Sequence, residues 1–83
     1  MGRRPNPVRY FLRTEEVLEL LERRRVLHGD VATRLGISRS YWSRLVHRHK
    51  PLTESMRGRI LTCRAFRGLA GPDLWERVER GEP

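Results

Sequence analysis

Val31-Ala32-Thr33-Arg34-Leu35-Gly36-Ile37-Ser38-Arg39-Ser40-Tyr41-Trp42-Ser43-Arg44-Leu45 is the stretch whose reading decides the fold. Val31, Ala32 and Leu35 share one helical face, and Gly36 can take the left-handed conformation that closes such a helix. Beyond it, Ile37 enters the core and Ser38 is a strong N-cap. Trp42, Leu45 and Val46 then recur at helical spacing on the buried side of the next helix. Helices joined by so short a turn cross at roughly 90 to 120°, and a small residue such as Ala32 lets them approach. Arg39, Ser40, Tyr41, Ser43, Arg44, His47 and Arg48 remain outward, a row rich in hydrogen-bond donors and free of acids.

Outward from this unit the chain from Thr14 onward reads as further helices. Thr14 is an N-cap candidate, Glu15 and Glu16 suit a first turn, and Val17, Leu18, Leu20 and Leu21 form an apolar stripe. With Arg23, Arg24 and Arg25 on the last turn, a helix over 15–25 is expected, followed by helices over 28–35 and 39–49. Pro51 bars continuation past Lys50. Thr53 caps a fourth helix over 54–66 through Met56, Ile60, Leu61 and Cys63, which tolerates Gly58 at a cost of about 1 kcal/mol. Pro72 suits a first helical position, so 73–80 reads as a short fifth helix with Leu74, Trp75 and Val78 inward. No segment alternates convincingly with period two. The expected class is all-α: a compact five-helix domain over 14–80, preceded by a flexible basic arm over 1–13 that is mobile up to about Pro7.

Composition narrows the function classes. At 83 residues one domain of modest core is expected. The single cysteine, Cys63, excludes an internal disulfide framework and a multi-cysteine zinc module, and suits a reducing cytoplasm. There is no apolar run near the roughly 20 residues that span a bilayer, and no secretory signal, so a soluble cytoplasmic protein is expected. Lys and Arg total 18 against 10 Asp and Glu, a formal net charge of +8. Lys50 is the only lysine. Arginine's planar fork suits phosphate and guanine edges, although a GC-rich genome would give the same bias. The acids cluster at Glu15, Glu16, Glu19 and Glu22 and again at Asp73, Glu76, Glu79 and Glu82, while Val31 to Gly71 carries only Glu54. A polyanion would dock on that middle stretch.

The sequence resembles the lambda-repressor-like family of helix-turn-helix regulators, the Cro and XRE type. The resemblance runs from about Tyr10 to Phe66 and is strongest in Val31 to Leu45 and in Lys50-Pro51-Leu52-Thr53. It implies a domain of about five helices that binds duplex DNA, commonly as a dimer on a palindromic operator, with the third helix in the major groove. Arg39, Ser40 and Arg44 then fall where members touch base edges, with Ser43 and Tyr41 beside them. His28 falls where many members carry a glutamine that bonds a phosphate or buttresses the reading residues. Leu27, where a Ser or Thr cap is usual, and Gly29, on the first turn of the second helix, depart from the pattern. Arg34, His47, Arg48, Lys50 and Arg57 are the expected phosphate contacts, and Arg3 and Arg4 are candidates for an arm in the minor groove.

Plainer readings accompany several of these residues. Arg23 to Arg25 suit a solvated helix end, and Arg3 and Arg4 an inert tail. His47 and His49 lack a third ligand for zinc, Cys63 suits a core, and Asp30 and Glu54 are isolated, so no metal, cofactor or catalytic constellation is expected. Leu74, Trp75 and Val78 on the fifth helix offer either core packing or a homodimer surface. The expectation is a non-enzymatic, sequence-specific transcriptional regulator, a repressor of phage or bacterial type, with no membrane or small-molecule substrate. Its alternative is an interaction adaptor that uses the same fold to bind RNA polymerase, a toxin or a recombination complex. An RNA-binding reading lacks exposed aromatic pairs for stacking on single-stranded bases.

Overall fold

Apolar residues three and four apart give α1 (Thr14–Arg24), α2 (His28–Leu35), α3 (Arg39–Val46) and α4 (Glu54–Thr62) in the computed structural model, which describes residues 8–79. A 3-10 turn at Arg64–Phe66 and a single helical turn, α5 (Gly71–Leu74), follow. The chain is mostly helical, but it is not all-α. Val8–Leu12 (β1) and Trp75–Glu79 (β2) pair antiparallel, with Leu12 opposite Trp75, Phe11 opposite Glu76, Tyr10 opposite Arg77 and Val8 opposite Glu79.

Two expectations are therefore corrected. The segment 1–13 is not a flexible arm as a whole, because Val8–Leu12 is a strand whose last residue, Leu12, is only 1% exposed. The fifth helix over 73–80 is one turn long and gives way to a strand at Trp75. Arg13 stops it: its backbone N–H donates to the Leu74 carbonyl at 2.8 Å, and its Nε donates to the Pro72 carbonyl at 2.8 Å. Those carbonyls sit at a helix end that has no further turn to satisfy them. Gly71 is also needed where it stands, since a Cβ there would lie 2.7 Å from Cζ2 of Trp75.

Three helices close in the same way, with a left-handed residue just past the end. Gly36 (φ 74°) ends α2, with Ile37 N–H on the Ala32 carbonyl and Gly36 N–H on the Thr33 carbonyl. Arg25 (φ 58°) does this for α1 and Arg48 (φ 61°) for α3, each with the equivalent pair of bonds. Two of the three closures thus place a side chain where glycine is preferred, at a cost of roughly 1–2 kcal/mol each. This closure ends α3 at Val46 rather than 49, and α4 ends at Thr62 rather than 66.

At the helix starts, Ser38 accepts from Tyr41 N–H at 3.0 Å and Thr53 from Met56 N–H at 3.1 Å, as read from the sequence. Thr14 differs. It is the first residue of α1, and its hydroxyl donates to the Val46 carbonyl at 2.6 Å, tying the start of α1 to the end of α3. Every element but β2 sends residues into one core, made of Leu12, Val17, Leu20, Leu21, Val31, Ala32, Leu35, Trp42, Leu45, Val46, Leu52, Met56, Ile60, Cys63, Ala65, Phe66 and Leu74, and Trp75 of β2 packs against it partly buried. Among the described residues no helix is long and apolar enough to cross a membrane.

Candidate nucleic-acid interface

The placement of α3 begins with Trp42, which is 2% exposed and packs against Phe66 with ring centroids 6.5 Å apart. Burying an aromatic side chain of that size contributes on the order of 4 kcal/mol. The buried indole N–H needs an acceptor, and Nδ1 of His28, on the first turn of α2, takes it at 2.8 Å. His28 therefore carries its remaining donor on Nε2 and fixes the rotation of α3 against α2. Leu45 and Val46 complete the seal beneath α3.

With that face buried, Arg39, Ser40, Ser43 and Arg44 are exposed, and Tyr41 is partly buried against the core. His47, Arg48, His49 and Lys50 continue the exposed run beyond the helix. His49, weighed in the sequence only for zinc, stands two residues beyond His47, and the two rings lie 5.9 Å apart. Arg34 is exposed on the last turn of α2. Among the described residues, the side chains of Arg34, Arg39 and Arg44 form no hydrogen bond or ion pair within the chain. Arg39, Ser43 and His47 line a cleft with Leu18, His28, Trp42 and Val46, and no acid borders it.

Other candidates are turned elsewhere. Arg57 is engaged within the chain: its Nη1 donates to the Leu52 carbonyl at 2.9 Å, and its guanidinium lies 4.0 Å from the Tyr10 ring centroid. Arg48 is exposed but engaged, pairing with Glu76 at 2.5 Å and lying 5.3 Å from the Phe11 ring centroid. Phe11 and Glu76 face each other across the sheet, so β1 and β2 together hold this side chain. Arg3 and Arg4 lie outside the described residues. Leu74 is 1% exposed and belongs to the core, while Trp75 and Val78 sit on a strand, so the three do not form one helical dimer face.

Sequence reasoning also missed where the acids go. Glu15, Glu16 and Glu76 line one groove with Arg13 and Arg48, and Glu16, Glu19 and Asp73 line another between α1 and α5. The two acidic segments, distant in sequence, meet on the side of the sheet and α1. Among the described residues no cluster of three or more His, Cys, Asp or Glu could hold a metal ion.

No family model matches the chain, and no curated protein or solved structure is significantly similar to it.

Proposed function

We propose that the chain is a sequence-specific, duplex-DNA-binding transcriptional regulator of lambda-repressor-like type, in which α2, the Gly36 turn and α3 act as a helix-turn-helix. One observation carries the reading. On α3 the apolar side is sealed into the core through Trp42, Leu45 and Val46, while Arg39, Ser40, Ser43 and Arg44 are left exposed and unneutralised. Leaving cations uncompensated on a rigid helix does nothing for stability, and an external polyanion supplies the missing charge. A helix of this width fits the major groove, where arginine forks and serine hydroxyls meet base edges. Repression by operator occupancy is the simplest activity for a domain of this size.

The reading is tested by selecting duplexes from a random DNA pool and titrating the winner and random DNA at two salt concentrations. Preference for one sequence by roughly a thousandfold or more supports a regulator, and a palindromic winner supports a dimer. Binding that collapses with salt and enriches nothing would defeat sequence reading.

A further inference from the structure

We infer that Arg39 clamps the DNA backbone instead of reading a base, leaving base discrimination to Ser40 and Arg44; this rests on the reading of α3 as the DNA-facing helix. The exposed row of α3 is two rows. Residues four apart share a helical face, so Arg39 and Ser43 form one and Ser40 and Arg44 the other. The first row borders the cleft shared with Leu18, His28, Trp42, Val46 and His47, and neither Ser40 nor Arg44 does.

The Arg39 side chain runs beside the first turn of α2. Gly29 has no side chain, and a Cβ built there would have Arg39 Nε at 3.8 Å, Cδ at 3.9 Å and Cζ at 4.0 Å as its nearest neighbours. Arg39 thus lies alongside the first turn of α2, within ordinary van der Waals reach of it. When the second of two such helices occupies the major groove, the first crosses the phosphate backbone. A guanidinium that leans on α2 is therefore delivered to phosphate, whereas Arg44, one turn further along the other row, is delivered to the groove floor. Arg39 has no carboxylate in ion-pair range among the described residues, Asp30 beside Gly29 included, so its charge is available.

Lysine separates the two roles. It satisfies a phosphate as a point charge but cannot reproduce a bidentate contact to guanine. The experiment compares wild type with Arg39→Ala, Arg39→Lys, Arg44→Ala and Arg44→Lys on the selected duplex and on random DNA across a salt series, with melting curves to confirm that each variant is folded. For Arg39→Ala the expected result is an equal loss on both DNAs, roughly five- to tenfold, with the log–log salt slope smaller by about one. Arg39→Lys restores binding to within about twofold. Both Arg44 variants lose affinity for the selected duplex only. Loss confined to the selected duplex for Arg39→Ala, unrescued by lysine, overturns the inference while leaving the DNA-reading function intact. If wild type enriches no sequence, the function itself fails and the inference with it.

Discussion

Arginine does two different jobs in this chain, and the outward face of α3 compared with the shell around the sheet and the helix ends separates them. On α3, Arg39 and Arg44 bond to nothing within the chain among the described residues. In the shell the same residue type staples elements together. Arg24 donates to the Ala65 and Arg67 carbonyls at 3.0 Å each, Arg59 to the Leu35 carbonyl at 3.0 Å, and Arg57 to the Leu52 carbonyl while covering Tyr10. Carbonyls left over at helix ends and turns are the acceptors, because helices this short leave many of them unpaired. The difference teaches that a count of arginines overstates how many are free to meet a partner. Several guanidiniums keep their charge but spend their donors on the fold's own carbonyls.

The comparison breaks most sharply if the shell proves dispensable. Leu12→Ala, in β1, is expected to cost about 2–5 kcal/mol in urea or thermal unfolding, as for other fully buried leucines. A loss below about 1 kcal/mol would return β1 to the status of an arm. Next in size, Arg44→Ala should cost about 1–3 kcal/mol of discrimination between the selected duplex and random DNA. Its melting temperature should stay within the range of a surface change. Arg24→Ala should do the reverse, losing about 1–2 kcal/mol of stability through two charge-assisted bonds that are in part exposed, with discrimination preserved once folded. If Arg24→Ala altered discrimination and Arg44→Ala altered stability, the division of labour would be wrong. The smallest effect has the opposite sign. Arg25→Gly relieves the left-handed strain at the end of α1 and should stabilise by about 1 kcal/mol or less, the unfolded chain's added freedom taking back part of the gain.

Much of the candidate site was legible before any coordinates. Ser38, Gly36 and Thr53 act through bonds to residues three or four away, and Trp42, Leu45 and Val46 mark the buried side of α3 by spacing alone. The sheet was not legible. Val8–Leu12 is five residues long, and its partner lies at the far end of the chain. Trp75 and Val78 also fit a helical period, so Trp75-Glu76-Arg77-Val78-Glu79 supports either state in isolation. The partners of Arg57 and Arg48 were not legible for a related reason, since Tyr10, Phe11 and Glu76 lie in those same strands.

The sequence by itself determined the local elements: which stretches are helical from α1 to α4, where the caps and the Gly36 turn fall, and which side of α3 is apolar. These depend on contacts within a turn or two of chain, and local contacts are written in local spacing. Tertiary structure alone decided the pairing of β1 with β2, the one-turn length of α5 and the allegiance of each arginine. Those outcomes depend on which carbonyls, rings and carboxylates arrive from distant parts of the chain, and no short window of sequence contains both partners.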